Sequence, residues 1–394
     1  MGRNPVLNIT RIKADIRKKK NIMSESHLDL SDNPLYQSRA ERAVADKPVS
    51  RSTPLGAVAQ SRVPGETSRS RMVDEILAQD EELVSGNIAS THYKPITIAG
   101  INLKLEPLQP SIGTIVHGID LAQDLENNPE MVSFLRELWL ERRVIMFRNQ
   151  NHLTRQEHYQ FAQYFGEVGT RYGESDHIPN SPHDLSHPIN VPGIPEMLVL
   201  ISDEKVPGAA SAWHCDATWQ KRPPMASVLM CREAPPIGGD TCFCDCYSMW
   251  EGLSKETKDR IEHLTAEHAG AIIHQMDGET PVSVHPVART HPETGQTALY
   301  VQQGFVRGFA PEHAIDPDEA KVLLAEMRAQ EGRLEYTCRF RWEAGSIAMW
   351  DNRAVLHSAS ADFWPHRRHM ERLTILDHDE ARRTPFYDPS LRQK

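Results

Sequence analysis

Apolar positions along this chain change their rhythm several times, and each change marks an element. Met131, Leu135, Leu138 and Leu140 recur at helical spacing and predict an amphipathic helix over 129–142. The unbroken apolar run Val144-Ile145-Met146-Phe147 then reads as a buried strand. Tyr159, Phe161, Ala162 and Phe165 predict a second helix over 154–165. A longer one is expected over about 248–264. Asp316 as N-cap, Pro317 at the first helical position and Glu319 completing a capping box start another over 317–330. Strands are expected at 197–201, 211–218, 225–232, 240–245, 336–342, 346–350 and 369–376, with a mixed stretch running to 296. Short strands and turns, including Ile112-Gly113-Thr114-Ile115-Val116, fill 95–121. The Pro-, His- and Asn-rich segment 169–196 is too long for an ordinary connection and reads as a lid or binding loop. Many short strands with a few flanking helices predict a mainly β protein. A double-sheet jelly roll is the natural form, because it protects strand edges and leaves a mouth between the sheets.

The first 92 residues follow none of these rhythms. They hold a single aromatic residue, Tyr36, among many Ser, Arg, Asp and Pro. Such a segment buries too little apolar surface to offset its ordering entropy, so 1–92 is expected to be a largely disordered extension. A short helix at 70–83, with Met72, Ile76, Leu77 and Leu83 as its apolar stripe, is the exception. The basic run from Arg11 to Lys20 fits a targeting or anion-binding arm, a solvated tail, or an upstream start with Met23 as the true initiator. The globular domain is placed at 93–388. With 394 residues, 39% of them hydrophobic, the chain can bury a full core.

Charge and cysteine usage narrow the class. The formal charge is −10 with acids and bases interspersed, so no nucleic-acid partner is expected. No apolar stretch approaches the roughly 18 residues of a membrane span, so no membrane partner is expected either. The six cysteines lack zinc-knuckle or secreted-framework spacing and read as reduced thiols of a cytoplasmic protein. Cys242, Cys244 and Cys246 alternate as a small-residue face of the strand expected there. A homo-oligomer, dimer or tetramer, is expected.

Two segments carry chemistry. In Trp213-His214-Cys215-Asp216 the His and Asp lie at i and i+2, which in a strand puts both on one face. A bare His-x-Asp is a weak signal in a chain with 19 histidines. A distant third histidine would complete two imidazoles and one carboxylate, the facial set of non-haem Fe(II) oxygenases. The run Asn352-Arg353-Ala354-Val355-Leu356-His357 offers one. Arg368 and Arg372 lie eleven and fifteen positions beyond His357, where cations could hold the carboxylate of a keto acid.

Taken together, the runs Ala212–Trp219, Ala348–Ala359 and Pro365–Leu376 resemble the taurine dioxygenase family of Fe(II)- and 2-oxoglutarate-dependent oxygenases. Phe165-Gly166-Glu167, Gly238-Gly239-Asp240-Thr241, His285-Pro286-Val287 and Arg289-Thr290-His291-Pro292 match the family's order and spacing, over about residues 93–388. The resemblance implies a double-stranded β-helix, the cupin-like jelly roll. It implies Fe(II) on His214, Asp216 and His357, with 2-oxoglutarate anchored by Arg368 and Thr241 and O2 at the last position. The reaction implied is oxidative decarboxylation to succinate and CO2 with hydroxylation of a small anionic substrate. That substrate is gripped by Arg372 beside an aromatic wall at Phe305. Where taurine dioxygenase has a histidine and an asparagine contacting substrate, this chain has Arg171 and Ala210. Arg171 would repel taurine's ammonium and suits a second anion contact, so taurine itself is not expected. Other alkyl sulfonates, alkyl sulfates, aryloxyalkanoates and carboxylated metabolites stay open. Asp216 fills the position that related halogenases leave empty, which favours oxygen-driven chemistry. Zinc hydrolysis would also use two His and one carboxylate but gives no account of Arg368 and Thr241. Two further readings remain: a tailoring oxygenase acting on a larger metabolite, and a non-catalytic jelly-roll metabolite sensor.

Overall fold

The computed structural model describes residues 96–391, leaving aside 171–190, 192, 206, 207, 209, 210 and 271–279. The expected extension at 1–92, its helix at 70–83, Arg171, Ala210 and most of the 169–196 loop lie outside the described residues.

Strands β1 (Ile96–Ile98), β2 (Ile101–Pro107) and β3 (Thr114–His117) open the domain. Helix α1 (Pro129–Arg142), strand β4 (Val144–Phe147) and helix α2 (Arg155–Gln163) follow. The sequence explains both helix starts. Asn128 caps α1 by accepting from the Met131 amide with Pro129 at the first position, and Thr154 and Glu157 form a reciprocal capping box on α2. Next come β5 (Glu167–Val168), β6 (Leu198–Ser202), β7 (Ala226–Glu233) and β8 (Thr241–Asp245). The long helix expected over 248–264 is instead two short ones, α3 (Cys246–Glu251) and α4 (Lys255–Ile261). Gly252-Leu253-Ser254 interrupts it, because Ser254 caps a new helix by accepting from the Thr257 amide. Cys246 therefore starts a helix and does not continue the alternating strand face of Cys242 and Cys244.

The mixed stretch resolves into β9 (Thr265–Ala269), β10 (Val282–Pro286), β11 (Ala288–Thr290) and β12 (Thr297–Leu299). After β13 (Val306–Phe309) comes helix α5 (Pro317–Arg328), capped by Asp316 as expected. Glu319 does not close a capping box; its carboxylate pairs with Arg260. Strands β14 (Thr337–Phe340), β15 (Ile347–Asp351), β16 (Val355–Ala359) and β17 (Arg368–Leu376) finish the domain. The strand β16 is missing from the sequence reading, although His357 lies on it.

The largest sheet has the order β1-β2-β3-β4-β15-β7-β17-β5, with β6 also paired to β17. A smaller sheet, β14-β8-β16, packs against one of its faces. Strand alternation makes this possible. On β7, Ala226, Val228 and Met230 join the core shared with α1 and α2, whereas Leu229 and Cys231 face the smaller sheet with Phe243, Cys338 and Phe340. On β15, Ile347 and Met349 take the helix side, and Ala348 and Trp350 the inter-sheet side. Two β-sheets face to face with helices outside form the expected jelly roll.

Candidate active site

The segment expected as a strand at 211–218 is a loop. Ala217 adopts φ 49°, and a turn closes from the Gln220 amide to the Ala217 carbonyl. An isolated β-bridge ties this loop to β16, beside the Ser211 amide, which donates to the Ala359 carbonyl at 3.1 Å. The His214 and His357 peptides exchange both hydrogen bonds, at 3.1 and 2.8 Å. That bridge, not a shared strand face, brings the two histidines together, with ring centroids 4.1 Å apart. The Nε2 atoms of His214 and His357 lie 3.9 and 3.8 Å from Asp216 Oδ1. One ligand atom from each residue falls within 4.8 Å of the others, and no other His/Cys/Asp/Glu group among the described residues does so.

The donor set fits a divalent transition metal. His214 Nδ1 donates to the Ala212 carbonyl at 2.8 Å, which fixes its tautomer and leaves Nε2 as a lone-pair donor. Burial drives the His357 imidazole down to about 3, helped by the neighbouring His214, and burial likewise lowers His214. Burial of the Asp216 carboxyl opposes ionisation, but Arg372, both histidines and a hydrogen bond from Ser227 outweigh it and hold Asp216 well below the usual carboxylate range. Two neutral imidazoles and one carboxylate are thus ready at neutral pH.

Further residues surround this triad. Arg368 and Arg372 project from the same face of β17 into the space between the sheets, together with Met370. Arg368 is 9% exposed, its Nε has no hydrogen-bond partner among the described residues, and burial lowers its pKa. A buried guanidinium with unfilled donors fits an incoming carboxylate. Room for it comes from the Gly238-Gly239 turn: Gly239 has φ +71°, and a Cβ there would lie 3.2 Å from Arg368 Cδ. Thr241 lies on β8, where its Oγ1 accepts from Trp342 Nε1 at 3.0 Å, leaving the hydroxyl proton to donate elsewhere. Arg372 reaches Asp216 Oδ1 at 2.7 Å. Its sequence neighbour Glu371 points to the opposite face and takes Arg155 and Arg232. Phe305 stands edge-on to His214 at 5.6 Å and to Trp219 at 4.7 Å. Trp350 packs 4.8 Å from the His357 ring.

The family model for the taurine catabolism dioxygenase TauD, TfdA family matches residues 104–374. The chain belongs to that family. It is a 2-oxoglutarate-dependent non-haem iron dioxygenase, with Fe(II) as cofactor and 2-oxoglutarate and O2 as co-substrates. Similar proteins include an alpha-ketoglutarate-dependent sulfate ester dioxygenase of Pseudomonas putida, 28% identical over 70% of this chain and 90% of that one. An alpha-ketoglutarate-dependent sulfonate dioxygenase of Saccharomyces cerevisiae is 30% identical over 69% of this chain and 66% of that one. The crystal structure of a taurine dioxygenase from Burkholderia xenovorans superposes with a TM-score of 0.58 at 31% identity, covering 73% of this chain and 98% of that one. No helix of the dioxygenase's described residues is long and apolar enough to cross a membrane.

Sequence reasoning missed three side chains at this site. Ser227 donates to Asp216 Oδ2 at 2.6 Å, Asn352 donates to Ser227 Oγ at 3.1 Å, and Trp342 orients Thr241. One signal was readable: Ser227 is the lone hydroxyl in the apolar run Met225–Cys231. Trp342 offered none, because its partner lies on another strand.

Proposed function

We propose that this dioxygenase hydroxylates a small anionic substrate of the alkyl sulfonate or alkyl sulfate class, at the carbon next to the sulfur or ester oxygen. The observation that carries the reading is the Arg372 guanidinium, 2.7 Å from the Asp216 oxygen that faces both histidines. An anion held there would sit beside the metal ligands. The sulfate ester and sulfonate dioxygenases among its relatives support the same class.

The two arginines divide the work. They stand four residues apart on one strand face, about 13 Å along β17, so one guanidinium serves the co-substrate and the other the substrate. Arg368 and Thr241 would hold the far carboxylate of 2-oxoglutarate, Arg368 through parallel charge-assisted bonds and Thr241 through its free hydroxyl proton. Phe305 and Trp219 would wall the substrate's apolar part and exclude water. When bound, Fe(II) with 2-oxoglutarate supplies O2 activation: one oxygen atom enters succinate as CO2 leaves, and the other converts substrate C–H to C–OH. A carbon bearing both hydroxyl and sulfonate collapses to an aldehyde and sulfite; a sulfate ester gives an aldehyde and sulfate.

The test is anaerobically reconstituted enzyme exposed to O2 with taurine, medium-chain alkyl sulfonates, alkyl sulfates and aryloxyacetates. Succinate released in step with sulfite or sulfate is the expected result. Succinate formed with neither, across the whole panel, would sink the substrate class and favour a tailoring oxygenase.

A further inference from the structure

Asp216 has two oxygens, and the structure gives them different neighbours. Oδ1 faces His214 Nε2, His357 Nε2 and Arg372. Oδ2 is turned away and accepts from Ser227 Oγ at 2.6 Å. Behind Ser227 runs a buried chain. Asn352 Nδ2 donates to Ser227 Oγ at 3.1 Å, and Trp350 Nε1 donates to Asn352 Oδ1 at 2.9 Å. The Asp216 peptide N–H also points at Asn352 Oδ1, at 3.4 Å. Trp350, Asn352, Ser227 and Asp216 are 1%, 0%, 0% and 4% exposed.

The direction of every proton in this chain follows from chemistry. An indole N–H and a peptide N–H can only donate, so the Asn352 atom between them is its carbonyl oxygen. The Asn352 amide group must then face Ser227, and an amide N–H also only donates. Ser227 accepts that bond, which leaves its own proton for the ionised carboxylate. We propose that Trp350, Asn352 and Ser227 are positioning residues that reserve Asp216 Oδ2, so that Asp216 offers the metal a single oxygen and keeps positions open for co-substrate and O2. Arg372 on Oδ1 completes the arrangement, because each carboxylate oxygen then has its own partner.

This inference rests on Asp216 being a metal ligand, and the experiment separates the two. Co(II) is titrated anaerobically into wild-type, Ser227→Ala, Ser227→Thr and Asn352→Asp protein, reading affinity by calorimetry and the visible d–d band by absorption. Loss of the hydroxyl frees Oδ2 to bind the metal, which raises the coordination number and lowers band intensity. Ser227→Ala should lose about 10–100-fold in Co(II) affinity, with a weakened and shifted band. Ser227→Thr should behave as wild type. Asn352→Asp, nearly isosteric but unable to donate to Ser227, should reproduce the alanine spectrum, and it carries the test if Ser227→Ala does not fold. Wild-type affinity and band shape in the folded alanine or aspartate variant would overturn the relay while leaving the metal site intact. Threonine behaving like alanine would also overturn it, by removing the hydroxyl from the account. Wild-type protein that is folded yet takes up no Co(II) would overturn the site itself and the relay with it.

Discussion

Arg368 and Arg372 share a strand face but differ in what satisfies them, and their variants should differ accordingly. Arg368 Nε is buried with no hydrogen-bond partner among the described residues, so a carboxylate is needed to complete it. Removing a charged hydrogen-bond partner costs about 1.5–3 kcal/mol. Arg368→Ala should therefore raise the KM for 2-oxoglutarate by about 10–150-fold while Co(II) affinity stays near wild type; an unchanged KM would exclude Arg368 as the anchor. Arg372→Ala should lower kcat/KM for a sulfonate or sulfate about 100-fold, near 2.7 kcal/mol, and spare substrate-independent decay of 2-oxoglutarate. If both reactions fell equally, its action would be on the metal ligand Asp216 alone. At this scale the sequence was most informative. His214, Asp216 and His357 are legible as a candidate set from residue type and spacing, Arg368 and Thr241 from the family resemblance, and the structure brings ligand atoms of the first three within 4.8 Å of one another. Ser227 left only the trace of a lone hydroxyl in an apolar run and Trp342 left none, because their partners lie on a loop and on a neighbouring strand distant in sequence.

Among elements, β17 bears the heaviest demand, since one face supplies Arg368 and Arg372 and the other carries a buried acid. The Glu371 side chain is fully buried between Arg155 and Arg232, 2.7 Å from each, with His369 at 3.3 Å. Burial opposes its ionisation, but hydrogen bonds from His369 and the two arginines hold it far below the ordinary glutamate range. Glu371→Ala strands Arg232, so stability should fall by about 3–5 kcal/mol in denaturant titration. A loss under 1 kcal/mol would show that the pairs contribute little. Just beyond α5, Glu331 shows the opposite behaviour. Burial raises its carboxyl to about 7, only partly offset by Arg328 and the Gln303 amide. The folded state therefore holds a proton that the unfolded chain has released, so Glu331 costs stability as pH rises from about 4.5 to about 7. Glu331→Gln should remove that part of the decline and raise the melting temperature at pH 8 by about 2–4 °C, while changing little at pH 4. Equal melting curves at both pH values would refute the assignment.

Over the whole domain, the site lies between two sheets, with His357 and Thr241 on the smaller, Arg368 and Arg372 on the larger, and Asp216 on a loop between β6 and β7. A ligand held by both sheets binds only the folded chain and must stabilise it. Co(II) and 2-oxoglutarate, each at about 100 times its dissociation constant, should each add about 2.7 kcal/mol, roughly 5–10 °C apiece in melting temperature. Arg368→Ala should keep the increment due to metal and lose the one due to 2-oxoglutarate. A wild-type melting curve insensitive to both would contradict a site spanning the sheets.

The chain's own order of residues determined the helices α1 and α5, the buried strand β4, the alternation that builds two faces and the side chains that form the candidate metal site. Those features depend on local propensity, capping and side-chain chemistry, which are written within a few residues of each other. Tertiary structure decided the rest. His214 and Asp216 leave a loop and not a strand, because Ala217 turns the chain and a single bridge to His357 replaces a ladder. The strand β16 was hidden because pairing with β8, and not its own short sequence, defines it. The helix over 248–264 broke where Ser254 could cap a second start. Which oxygen of Asp216 faces the histidines was fixed by Ser227, Asn352 and Trp350, whose hydrogen bonds exist only once β7, the β15–β16 turn and the metal loop have packed together.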